Sequence, residues 1–136
     1  GNGTLYWAGR VGNIVSCEHD RAWFDKISPR LPDNAQVIWA PDGPEYEATI
    51  LNTGKRYHLV LVDGIRREEA AATALEALTS DGVMILDDSF RSEYRPIFER
   101  MQFAGFRKLE ISGAAPIHNN YDETTVFYRD GNCLGI

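Results

Sequence analysis

Three aspartates sit where this chain can do chemistry. Asp63 closes the run HLVLVDG at residues 58–64, and Asp87 and Asp88 close GVMILDDS at 82–89. A carboxylate in such a place accepts hydrogen bonds and, when suitably tuned, a proton. Both runs are short, continuous and apolar, the pattern of strands buried on both faces of a parallel sheet. Asp63 would then stand at the carboxyl end of a central strand, with Asp87 and Asp88 at the same edge. Ligands of open α/β sheets bind outside that edge. One such Asp serves equally well as a turn former or helix cap, but two parallel strands ending alike point to a site.

A second group of polar residues lies upstream. Residues 13–19, NIVSCEH, read as a strand ending in Glu18, with His19 beside it. An acid in that position commonly accepts both ribose hydroxyls of an adenosine ligand; the plain alternative is a surface acid. Residues 35–40, AQVIWA, form a third short strand, stopped by Pro41, Asp42 and Gly43. Asp42 is either a turn residue or an acceptor for an adenine amino group. Gly1 and Gly3 would let the backbone approach a ligand just before a helix, or belong to a flexible terminus. His118 falls in a closing loop and is a further proton-transfer candidate.

These residues need elements to hold them. Asp20 is a good helix N-cap, and Phe24, Ile27 and Leu31 follow at helical spacing until Pro29 stops or kinks the helix. Residues 45–52 form a short helix and 52–56 a loop. Ala71, Ala74, Leu75 and Leu78 repeat at helical spacing and give a small-residue face; residues 79–82 end that helix and a strand at 83–87 follows. Tyr94, Ile97, Phe98 and Met101 make another, core-facing helix, with Pro96 in its first turn and Gly105 as its C-cap. Residues 106–112 and 123–129 alternate, and the link at 113–122 is too short for a crossover helix, so they pair antiparallel. The order is β-α-β-α-β-α-β-α-β-β, an α/β fold in one domain over residues 1–136.

The totals set the partners. Net charge is −6, which argues against a nucleic-acid partner, since phosphate backbones draw on Lys and Arg. Arg66, Arg67, Arg91 and Arg95 could hold an acidic acceptor, or form a solvated surface. Cys17 and Cys133 are far apart, with no disulfide framework or zinc spacing, which fits a reducing, cytoplasmic setting. No apolar run is long enough to suggest a membrane partner.

Gly1-Asn2-Gly3-Thr4, Glu18-His19-Asp20, Asp42, LVLVDG, GVMILDDS and the closing hairpin, in that order, resemble class I S-adenosylmethionine-dependent methyltransferases. The resemblance covers nearly the whole chain. It implies a Rossmann-like three-layer sandwich, mostly parallel, with an antiparallel C-terminal hairpin, and methyl transfer from S-adenosylmethionine to a small-molecule acceptor. Gly1 resembles the last glycine of the cofactor turn, with Gly3 against the methionine moiety. Glu18 matches the ribose acid, His19 its neighbour along the adenosine, Asp42 the adenine contact, and Asp63 the acid near the methyl donor. Asp63, Asp88 and His118 are the implied catalytic candidates. Asp87 and Asp88 fall where a metal-dependent O-methyltransferase subgroup keeps ligands, together with an acid at Asp63, which admits Mg²⁺. The acceptor would be read by loops 64–67, 89–93 and 113–122.

The family's first strand should precede Gly1. Its loss leaves about ten backbone hydrogen bonds unmade at about 1 kcal/mol each, against a domain stability of about 5–15 kcal/mol. The expectation is an N-terminally truncated fold, a piece of a longer enzyme, or else direct pairing of residues 13–19 with 58–63. Two other classes stay open: a nucleotide-binding oxidoreductase, for which no nicotinamide site is found, and a non-catalytic nucleotide-binding or interaction domain.

Overall fold

The computed structural model describes residues 2–114 and 121–136. Gly1 and His118 lie outside the described residues. The chain divides into two compact units, Gly1–Asn52 and Thr53–Ile136.

The first unit is a parallel strand pair with helices on both faces. It contains α1 (Asn2–Ala8), β1 (Ile14–Glu18), α2 (Arg21–Ile27), β2 (Ala35–Trp39) and α3 (Pro44–Asn52). The pair runs in parallel register from Ile14 opposite Ala35 to Glu18 opposite Trp39. Successive strand side chains point to opposite faces. Thr4 of α1 meets the Ser16 hydroxyl at 2.9 Å, while the neighbouring Cys17 thiol reaches the Tyr46 carbonyl of α3 at 3.6 Å. Helices α1 and α3 therefore cover opposite faces. Helix α2 starts where the sequence says, with the Asp20 carboxylate accepting from Trp23 N at 2.9 Å, a cap worth about 1 kcal/mol. It stops where Pro29 enters a 3-10 turn, Ser28–Arg30.

The second unit holds β3 (Tyr57–Val62), α4 (Arg67–Ala77), β4 (Leu78–Leu86), α5 (Arg95–Phe103), β5 (Arg107–Ala114) and β6 (Tyr121–Tyr128). Its sheet order is β3-β4-β6-β5, with β3 parallel to β4 and the last three strands antiparallel. The small face of α4 (Ala71, Ala74) and the apolar face of α5 (Ile97, Met101) close on Val62, Met84, Leu86 and Phe127 in one buried cluster. Each of the larger side chains stabilises the fold by about 1.5–3 kcal/mol through burial. Phe98 meets Phe127 edge-on at 5.1 Å. Both helices sit on one face. The other face presents Leu61, Ile85, Val126 and Leu109 in one cross-strand row.

Three expectations change. HLVLV is not a central strand: β3 is the edge of its four-stranded sheet, and Leu61 remains 37% exposed. Among the described residues it has one strand partner, and Leu61 lies on the face opposite the one that α4 and α5 cover. Among the described residues β1 bonds to β2 and β3 to β4, in separate sheets, in place of the expected direct pairing of 13–19 with 58–63. Residues 79–82 do not end the helix but belong to β4, which starts at Leu78 and follows α4 without a gap. The register there jumps from Tyr57 opposite Leu78 to Leu59 opposite Val83, so β4 bulges.

Gly82 makes the bulge feasible. A Cβ at that position would stand 2.9 Å from the Leu78 side chain and 3.0 Å from the carbonyl oxygens of Thr79 and Tyr57. The C-terminal tail then rests on the bulge, with Cys133 N donating to Asp81 O at 2.8 Å. Gly82→Ala is expected to destabilise the second unit by about 1–3 kcal/mol, the range for overpacking. Urea unfolding checks this, and an unchanged midpoint would contradict the close approach.

Candidate functional site

In the first unit the polar residues gather at the carboxyl edge of the parallel pair. Glu18 is the last residue of β1, with its side chain 15% exposed. Its Oε1 accepts from Asp20 N at 3.0 Å and lies 3.5 Å from His19 Nδ1. The carboxylate is thus fixed by the same turn that caps α2. His19 stands edge-on to Tyr46 at 6.0 Å. Asp42 is exposed in the turn between β2 and α3, where Gly43 adopts a φ of 139°, a backbone conformation that glycine supplies without steric cost. Glu18, His19 and Asp42 therefore share one edge. Gly3 lies inside α1, not in a turn, and a Cβ there would meet nothing within 4 Å.

In the second unit the carboxyl edge is built around an arginine. The Arg67 side chain is 9% exposed, although it opens a surface helix. Its Nε donates to Gly64 O at 3.0 Å and its Nη1 to the carbonyl of Asp87. Nη1 also lies 3.3 Å from Asp88 Oδ2, and Nη2 lies 3.3 Å from Asp63 Oδ1. The Tyr94 ring is 5.6 Å from the guanidinium carbon. One planar fork with five donors thus ties the end of β3 to the end of β4. Arg91 adds a second cation, 2.6 Å from Asp88 Oδ2.

The backbone at this edge is bent to serve these contacts. Among the described residues, only Arg66 (φ 49°) and Asp88 (φ 52°) are non-glycine residues with positive φ. Asp tolerates the left-handed region, whereas Arg does so at a cost of about 1–3 kcal/mol. Such outliers cluster at functional sites. The Asp88 turn is held from behind by β6. Ser89 N donates to Glu123 O at 2.8 Å, Ser89 Oγ to Glu123 Oε1 at 2.9 Å, and the buried Thr125 hydroxyl to Ser89 Oγ at 2.8 Å. Thr124 donates to Asp87 Oδ1 at 2.9 Å.

Asp63 has a displaced titration. Partial burial, a hydrogen bond with Asp87 and the negative charge of Asp87 raise its pKa to about 6, against the opposing pull of Arg67. Its side chain is 55% exposed, so the carboxyl remains open to solvent.

No protein-family model matches the sequence, and no curated protein does either. Solved structures do. An rRNA methylase from Streptococcus thermophilus superposes with a TM-score of 0.65 at 15% identity, covering 95% of this chain and 80% of that one. A putative O-methyltransferase from Klebsiella pneumoniae gives 0.69 at 12%, covering 94% and 68%. The O-methyltransferase TomG from Streptomyces achromogenes, solved with SAM, gives 0.68 at 16%, covering 96% and 69%. The fold is the class I methyltransferase fold.

Within that methyltransferase fold, Asp63, Asp87 and Asp88 are grouped at one edge as the sequence implies, but they do not suit a metal ion. Asp63 Oδ1 and Asp88 Oδ2 face Arg67, Asp88 Oδ2 also faces Arg91, and Asp87 Oδ1 faces Thr124. Among the described residues no group of three or more His, Cys, Asp or Glu is placed to hold a metal. The four arginines, which the sequence leaves open between holding an acidic acceptor and forming a solvated surface, each pair with an acid of the chain. Arg67 is buried on the acids, Arg91 pairs with Asp88, Arg66 with Glu69 at 3.1 Å, and Arg95 with Glu99 at 3.0 Å. Sequence reasoning missed Ser89, Glu123, Thr124 and Thr125. The available signal was a polar Glu-Thr-Thr run opening a strand whose apolar residues must pair with GVMIL.

A raised carboxyl pKa has a definite sign. Asp63 binds its proton more tightly when folded, so its contribution to stability is complete below about pH 4 and is lost as pH rises through about 6. A carboxyl ¹³C titration should give Asp63 a midpoint near 6, and Asp87→Asn should bring it down. A midpoint at the ordinary value of 3.8 in the unaltered chain would contradict the Asp63–Asp87 contact.

Proposed function

We propose that this chain binds S-adenosylmethionine and transfers its methyl group to a small-molecule acceptor. The observation that carries the proposal is Glu18, a mostly buried carboxylate fixed at the carboxyl end of β1 in a methyltransferase fold. A pinned carboxylate suits the two hydroxyls of a ribose, since both its oxygens accept and little side-chain freedom remains to be lost. His19 is assigned to the adenosine beside it and Asp42 to the adenine amino group, which an exposed acceptor in a turn can meet. Gly3 is assigned to the methionine end.

When bound, S-adenosylmethionine supplies an electrophilic methyl group on a sulfonium, so the protein's task is alignment more than activation. An acceptor hydroxyl or amine loses a proton as it is methylated. Asp63 suits that proton, because a carboxyl titrating near 6 is deprotonated at neutral pH yet basic enough to take one. Asp88, held by two arginines, is assigned to orienting the acceptor. The net charge of −6 favours a small molecule over a nucleic acid.

Calorimetric titration with S-adenosylhomocysteine is expected to show one site, with NAD giving none. Glu18→Ala should weaken binding about 10-fold or more, as expected for loss of charged hydrogen bonds worth about 1.5–3 kcal/mol each. No binding by the unaltered chain would favour the non-catalytic alternative.

A further inference from the structure

We infer that the guanidinium of Arg67 takes the place of a divalent cation among Asp63, Asp87 and Asp88, so that this edge neither needs nor binds Mg²⁺. Three acids at the ends of two neighbouring strands repel one another, and something positive must hold them together. A divalent ion does this with six or more oxygen ligands. Here a single side chain does it from inside the fold. Arg67 reaches Asp63 Oδ1 and Asp88 Oδ2 at 3.3 Å each and also bonds the Asp87 carbonyl. Its Nε donates to Gly64 O and its Nη2 also to Asp63 O at 3.4 Å, so the fork is held at the ends of both strands.

Two features show that the arginine is built in. Its side chain is 9% exposed, whereas the neighbouring Arg66 pairs at the surface with Glu69. The chain also accepts a left-handed Arg66 immediately before it, a conformation that bulky residues rarely adopt. That bend lets α4 begin with Arg67 directed back over the strand ends rather than outward. Arg91, on the opposite side of Asp88 and 44% exposed, supplies the rest of the neutralising charge. A metal ion would have to displace a cation that is already covalently part of the site, at no entropic disadvantage to the protein.

Arg67 is on this account a positioning residue: it sets where the Asp63 carboxylate stands without touching substrate. The inference goes beyond methyl transfer and its test reads cation binding rather than turnover, so either can fail without the other. Amide spectra of the unaltered chain should show no saturable shift at residues 63, 67, 87 and 88 on addition of millimolar Mg²⁺. Saturable shifts there would overturn the inference. Arg67→Ala vacates the cation's position, so it should bind Mn²⁺ by electron paramagnetic titration, with a dissociation constant below about 1 mM, and be raised in Tm by the ion. A folded Arg67→Ala chain that gains no Mn²⁺ affinity would also overturn it. Should that variant fail to fold, Mn²⁺ refolding it would support the inference, and Arg67→Lys folding without Mn²⁺ would support it further. Failure of both rescues would overturn it.

Discussion

A guanidinium that is nine-tenths buried must be matched by acids, and the carboxyl edge of the second unit is arranged around that requirement. Arg67 finds Asp63 just after β3 and Asp88 after β4, and its other donors end on backbone carbonyls of the same two turns. The remaining features of the edge follow from this. Arg66 bends left-handed so that Arg67 can turn inward, Asp88 bends left-handed to meet it, and Ser89 is clamped to β6 so that the bend persists. The parallel pairing of β3 and β4 brings the two turns side by side, with Asp87 N donating to Val62 O at 3.1 Å just beyond the last paired residues.

The first unit solves a smaller problem by a local device. Glu18 ends a strand and Asp20 begins a helix, and one turn serves both: Asp20 caps α2 with its side chain while its backbone N–H holds Glu18. The acid is therefore oriented by secondary structure alone and needs no counter-ion from elsewhere in the chain. The two edges contrast in electrostatics. One presents a carboxylate fixed by a backbone N–H; the other presents Asp63 and Asp88 facing arginines.

Much of this was legible in the residues. Strand positions followed from β-branched apolar runs, the start of α2 from Asp20, its stop from Pro29, and the end of α5 from Gly105, whose φ is 81°. The antiparallel hairpin followed from a link too short to cross over. What was hidden depended on partners distant in sequence. Residues 79–82 read as the end of a helix, yet Tyr57 and the C-terminal tail hold them in a bulged strand. Arg67 read as a surface residue because nothing local announces that an arginine opening a helix will be buried by acids from two strand ends. HLVLV read as central because composition reports how apolar a strand is, not which neighbours it has.

The fold and the pinned acid on β1 support the proposal that this chain recognises an adenosine-containing methyl donor. The most direct measurement is a crystal structure of this chain with S-adenosylhomocysteine. The account predicts both ribose hydroxyls within hydrogen-bonding distance of the Glu18 carboxylate, with the adenine beside His19. A ligand bound with its ribose away from Glu18 would contradict it.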